Sequence, residues 1–255
     1  MGNMRNFNAL LTGFMLGAAA FPISAQGSDG QRFESSTTQT NLLELFSSEG
    51  CSSCPPADAW IANLREHPGL WKSFVPIEFH VDYWNRLGWT DRFSKDAFTG
   101  RQQQYAREWG NGNVYTPGFV LNGTEWRASG GDTRYANPNS TNVGVLVANQ
   151  TAPSKFYVTF RPGLPGKNWK VYGALLGNGL TSEVRSGENN GKTLHHEFVV
   201  LSLANQLMDK AASEYTAVVE LKTPRTDKAK SYSVAFWVTN ENEQKPVQVV
   251  GGDLR

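Results

Sequence analysis

Only two of the 255 residues are cysteines, Cys51 and Cys54. That scarcity excludes a disulfide-rich scaffold and a four-cysteine zinc site. Histidine is almost as sparse, with four residues at positions 67, 80, 195 and 196. A long uninterrupted apolar run is also missing. The one apolar stretch, Phe7 to Phe21, is broken by Asn8 and Thr12 and falls short of the roughly 18 residues that a permanent membrane helix requires. Neither sign of charge prevails: 24 Lys and Arg face 23 Asp and Glu. This balance gives no electrostatic reason to expect nucleic acid or an anionic membrane as a partner. No G-x-S-x-G, H-E-x-x-H, P-loop or dinucleotide-binding glycine pattern occurs in a usable context.

What is present begins with a segment of secretory character. Arg5 supplies a thin positive start, the apolar stretch follows, and Ile23-Ser24-Ala25 precedes a cleavage point before Gln26. Residues 1–25 are therefore read as a signal peptide, with an uncleaved anchor as the alternative. The protein is expected to be exported, to a periplasmic or extracellular space, with no integral span after cleavage. There a disulfide can persist. Residues 26–40 are rich in Gly, Ser and Thr and read as a flexible leader.

From Asn41 the pattern alternates between strand and helix. Asn41 to Phe46 reads as a buried strand, and a helix runs from Pro55 or Pro56 to Glu66, since proline is tolerated in a first turn. Val75 to Val81 reads as a second strand, with Ile77, Phe79 and Val81 alternating with Glu78 and His80. A helix capped by Ser94 carries Phe98, Arg101, Tyr105 and Trp109. Phe119 to Leu121 and the Asn122-Gly123 turn form a hairpin. Beyond residue 136 the character changes: Val143 to Ala148 is ambiguous between helix and strand, and turn-separated β segments follow it, which suggest an antiparallel sandwich. The expected organisation is thus an α/β domain at 41–135 followed by a separate β-rich domain at 136–255.

The cysteines sit where the first strand gives way to the first helix. The first N–H groups of a helix lack internal partners and carry partial positive charge, which favours a thiolate at Cys51. Ser52 and Ser53 can add hydrogen bonds to that sulfur, while Glu44 and Glu49 oppose the charge if they lie close. A ring this small removes little unfolded-chain entropy, so chemistry is the favoured reading and an inert clip the alternative.

Two resemblances follow from these residues. Cys51 and Cys54 after the first strand, with Thr116-Pro117 before the Phe119-Val120-Leu121 hairpin, resemble the thioredoxin-like fold. That resemblance implies a cis Pro117 facing the cysteines and a backbone at Thr116 that pairs with substrate. It also implies an exposed, attacking Cys51, a resolving Cys54, and a buried carboxylate assisting proton transfer, for which Glu44 is the candidate. The residues between the cysteines are Ser52 and Ser53 rather than Gly-Pro, and two prolines follow Cys54. A narrower likeness, to secreted proteins grouped as domain of unknown function 1223, is carried by Glu44 to Asp58, His80 to Trp84, Leu87-Gly88-Trp89, Arg101-Gln102, Tyr115-Thr116-Pro117 and Gly187-Glu188-Asn189.

These readings lead to thiol–disulfide exchange on a protein or a small thiol, with no cofactor. All of the redox apparatus is expected within 38–135. One alternative is a non-catalytic binding module with a structural disulfide. Another is a copper-handling site built from Cys51, Cys54 and His80. His195 and His196 alternate faces in a β segment and read as surface. Six of the eight tryptophans lie between residues 60 and 126. Trp84 and Trp89 are candidates to line a peptide groove, with core filling as the alternative.

Overall fold

A computed structural model of the chain describes residues 1–2, 30–127, 132–137, 140–163, 168–222 and 228–255. The signal segment expected at 1–25 lies, apart from Met1 and Gly2, outside the described residues. Fifteen strands and two α-helices are found among them. The strands are β1 (Arg32–Glu34), β2 (Asn41–Ser47), β3 (Phe74–His80), β4 (Gly118–Leu121), β5 (Thr124–Glu125), β6 (Gly144–Ala152), β7 (Lys155–Pro162) and β8 (Trp169–Asn178). They continue with β9 (Leu180–Glu183), β10 (Thr193–His196), β11 (Val199–Leu207), β12 (Asp209–Ala211), β13 (Glu214–Glu220), β14 (Ser231–Asn240) and β15 (Pro246–Asp253). The helices are α1 (Pro55–Ala62) and α2 (Asp96–Glu108).

An eight-stranded sheet runs in the order β15-β14-β8-β11-β3-β2-β4-β5, and a five-stranded sheet in the order β1-β6-β7-β13-β12. The strands β9 and β10 form a small hairpin. This mostly-β, sandwich-like architecture corrects the expected α/β thioredoxin-like domain followed by an independent β unit. The decisive feature is the seam between β3 and β11, where Val199 lies parallel to Glu78 and Glu78 N–H donates to Phe198 O at 2.9 Å. A free-standing 41–135 unit would leave the outer edge of β3 with unpaired backbone groups, and β11 satisfies them. The eight-stranded sheet therefore crosses the boundary drawn at 135/136. The leader reading is corrected as well, because β1 pairs with β6 in register Phe33 to Ala148.

Each face of the large sheet has its own cover. On one face the five-stranded sheet packs through Phe156, Phe160 and Leu146 against Val171, Phe236 and Val250. The helix α1 covers the same sheet further along, with Ile61 packed among Leu43, Leu45 and Phe74. On the other face lies α2, whose Phe98, Arg101, Gln102, Tyr105 and Ala106 form a single buried stripe at helical spacing. Because both faces of β2 and β3 are covered, all seven residues of each are buried, and neither alternates apolar with exposed polar positions.

Register decides which polar residues meet. Glu44 pairs with Ile77, while Leu45 pairs with Glu78 and Ser47 with His80. Glu44 therefore points to the α2 face and Glu78 and His80 to the α1 face, since successive side chains alternate.

Candidate functional site

The strand β2 ends at Ser47, and the chain turns through Ser48-Glu49-Gly50 into Cys51. Cys51 N–H donates to Ser48 O, and Ala57 and Asp58 N–H both donate to Cys54 O, so the Cys pair forms the lead-in to α1. Pro55 and Pro56 occupy the first two helical positions, where no backbone donor is needed. Both cysteines are free thiols.

The two sulfurs differ sharply in environment. Cys51 Sγ lies 3.3 Å from Ser53 Oγ and 3.8 Å from Thr116 O. The Cys54 thiol beside it, helped by the Ser53 hydroxyl against the cost of burial, pulls the Cys51 thiol down to about 6. Burial pushes the Cys54 thiol well above its ordinary value, and the adjacent Cys51 charge adds to this. The Thr116–Pro117 bond is cis, and Trp84 Nε1–H donates to Thr116 Oγ1 at 2.7 Å. Cys51, Cys54 and Thr116 thus come together, with Pro117 next in the chain.

Cys51 is not the exposed sulfur that was expected: it is 0% accessible, as is Cys54. Two features border the loop that carries it. Trp84 stands over Gly50, where an added Cβ would lie 3.0 Å from that of Trp84. From the second half of the chain, Asn189 Nδ2 donates to both Glu49 O and Cys51 O at 2.9 Å. Glu188 Oε2 accepts from Ser52 N–H at 3.0 Å. Gly187, at φ +74°, makes this turn possible, since a side chain there would be strained and would press on Trp89. The expectation that residues 38–135 hold the whole apparatus is therefore corrected: the segment 187–189 shapes the Cys loop.

Glu44 is not near the sulfurs. It accepts from Arg101 Nε at 2.7 Å and from Tyr105 O–H at 2.5 Å on the opposite face of the sheet. The carboxylate on the cysteine side is Asp58 of α1, which accepts from Ser47 O–H at 2.5 Å. Burial, with Glu78 close by, pushes its acid up to about 8.

Behind Asp58 lies a solvent-free polar cluster. His80 Nδ1 lies 2.6 Å from Asp91 Oδ2 and its Nε2 lies 3.0 Å from Glu78 Oε1. Both ring nitrogens thus face carboxylates, and His80 does not serve the two-cysteine copper site. His196 enters from β10 and is buried at 1% accessibility, which corrects its reading as a surface residue. Its Nε2 is 3.6 Å from Glu49 Oε1, and its Nδ1 is 3.8 Å from both Asp58 Oδ2 and Glu78 Oε1. Burial works against its charge, but the facing carboxylates of Glu49 and Glu78 hold the imidazolium to about 9. Burial is likewise outweighed at Glu78, where His196 and His80 pull the acid to about 2.

Sequence reasoning missed Asp58, Glu78, His196 and Asn189. Their signals were present but indirect. Glu78 and His80 alternate with apolar residues, a pattern that normally marks a solvent face; here α1 and β10 cover it. The aromatics divide between roles. Trp89 Nε1–H donates to Glu49 Oε2 at 2.7 Å, Trp84 borders the Cys loop, and Trp60 packs against Phe119, Trp126 and Tyr135. Among the described residues no helix is long and apolar enough to cross a membrane.

Comparison with known proteins gives a consistent picture. The model of a family described as "Protein of unknown function (DUF1223)" matches residues 42–239. A solved protein of Agrobacterium tumefaciens is similar at 23% identity, over 85% of this chain and 94% of the other, with a TM-score of 0.57. HBP35 of Porphyromonas gingivalis is similar at 16% identity, over 86% of this chain and 76% of its own, with a TM-score of 0.58. At these identities the likeness concerns the fold. No curated protein matches the chain.

Proposed function

The chain belongs to the DUF1223 family, and from its own residues we propose that it carries out thiol–disulfide exchange through Cys51 and Cys54. The observation that carries this reading is the asymmetry of the two thiols. Cys51 gathers the hydrogen bonds that favour a thiolate, and Cys54 is the partner held protonated. A thiolate is the attacking species, and an attacking thiol serves best when its pKa is near the ambient pH. Cys51 would attack a partner disulfide and form a mixed disulfide. Cys54 would then displace the partner's thiol and leave Cys51–Cys54 oxidised. The Thr116 carbonyl, 3.8 Å from Cys51 Sγ, borders the position of the incoming sulfur. We place this activity in an exported, oxidising setting, where such a couple has oxidised partners.

The enclosure of Cys51 gives Trp84 a part in this reading. Attack would require the indole to release Thr116 Oγ1, which it bonds at 2.7 Å. Alkylation of the reduced chain tests both points. The rate at Cys51 should rise through a midpoint of about 6, as the thiolate forms, and Trp84→Ala should raise the plateau about tenfold by uncovering the sulfur. A midpoint near the ordinary thiol value of about 8.5, or a plateau unmoved by Trp84→Ala, would contradict the account.

The full burial of Cys51 favours a second reading. In it the pair is a structural clip and the β-rich part of the chain carries a binding role.

A further inference from the structure

Independently of the thiol chemistry, we infer that Glu78, His80, His196 and Asp58 form a binding site for a divalent transition-metal ion, Zn²⁺ foremost. The inference starts from atoms that the fold leaves without hydrogen bonds. Among the described residues, His196 Nδ1, His196 Nε2, Glu78 Oε2, Asp58 Oδ2 and Glu49 Oε1 are all buried and unpartnered. Buried polar groups are normally satisfied; His196 has facing carboxylates at 3.6–3.8 Å but no hydrogen bond of normal length on either nitrogen. All of these atoms belong to residues gathered around His196.

The geometry suits a cation. One ligand atom each from Glu78, His80 and His196 lie within 4.8 Å of one another. His196 Nδ1 is 3.8 Å from Asp58 Oδ2 and from Glu78 Oε1. Ligands about 2.0–2.2 Å from one zinc ion stand roughly 3.4 Å apart in a tetrahedron, so the 3.8 Å pairs close with shifts of a few tenths of an ångström, while the wider pairs, and Asp58 relative to His80, need side-chain rotations on the order of an ångström or more. His80 is already prepared. Its Nδ1 faces the Asp91 carboxylate at 2.6 Å, and its Nε2, which bonds Glu78 Oε1 at 3.0 Å, would give up its proton to present a lone pair to the ion. A carboxylate behind a ligating imidazole is the usual outer support of such sites. Two imidazoles and two carboxylates form a nitrogen–oxygen donor set that suits Zn²⁺; the ion would displace the protons that His196 and Asp58 otherwise hold, as metal binding to such groups does.

The ligands come from three elements distant in sequence: α1, β3 and β10. A metal here would tie the Cys-bearing helix to the seam between the two halves of the chain. Because the site is closed to solvent, the ion would enter as the chain folds, so binding and folding are linked.

The test uses the full chain, unfolded with chelator and refolded with Zn²⁺ or Co²⁺, then desalted and assayed for bound metal. The expected result is one ion per chain and a higher Tm with Zn²⁺ than with chelator. The Cys51→Ser/Cys54→Ser double variant should retain that ion, and His196→Gln and Asp58→Asn should each lose at least half of it. The Co²⁺ form of the native chain should show d–d bands without sulfur-to-cobalt charge transfer. Should His196→Gln not refold, the double serine variant and this spectrum still decide the matter. No retained metal in the native chain, loss of the metal from the double serine variant, a charge-transfer band, or full retention by both site variants would each overturn the inference.

Discussion

Cys51→Ser is expected to abolish thiol–disulfide exchange, while Cys54→Ser accumulates mixed disulfides with the partner. The difference follows from the roles of the two sulfurs. Without Cys51 no thiolate faces the Thr116 carbonyl, and Cys54 is too firmly protonated to substitute for it. Without Cys54 the first displacement still occurs, but no second thiol lies within reach to release the partner. Non-reducing electrophoresis of the variants after incubation with a disulfide-bonded substrate reads the outcome. If the two variants behave alike, losing only stability and trapping nothing, the pair is a clip.

The second large effect is on stability and involves no sulfur. Arg101→Met should destabilise the fold by about 3–5 kcal/mol, the cost of stranding a buried charge. Arg101 is buried at 4% accessibility and Glu44 at 0%. Its guanidinium bonds Glu44 at 2.7 Å and Gln244 at 2.5 Å, and it lies over the rings of Trp237 at 5.2 Å and Tyr105 at 5.1 Å. Removing it leaves the Glu44 carboxylate in an aromatic interior with only the Tyr105 hydroxyl. Urea unfolding would measure the loss. Replacing Glu44 with Gln in the same chain should recover part of it, because an unpaired charge then no longer remains. A loss below about 1 kcal/mol, the range of an exposed pair, would mean that the network is solvated.

Glu44 also marks where sequence reading succeeds and where it stops. The elements around the cysteines were legible: an apolar strand into Ser47, a proline-started helix, the buried stripe of α2 and the Asn122-Gly123 turn each have a local cause. Which face a strand residue occupies has none. A shift of one position separates a Glu44 that serves the thiols from a Glu44 that pairs with Arg101, and only the pairing with β3 settles it. The seam between β3 and β11 was equally invisible, because it depends on an edge that a local pattern treats as closed. His196 and Asn189 follow from that seam, since each lies within about ten residues of β11. The enclosure of Cys51 depends on the same long-range contacts. A helix N-terminus predicts a stabilised thiolate, but not the Trp84 side chain against Gly50 or the Asn189 amide on the Cys51 carbonyl.

The reduction potential of the Cys51–Cys54 couple, equilibrated against glutathione, tests the central claim most directly. A thiolate favoured at Cys51 stabilises the reduced pair, so the account predicts a potential well above about −300 mV, within reach of exchange partners. A value far below about −300 mV would identify a bond that resists reduction, and the account of an exchanging thiol pair would be wrong.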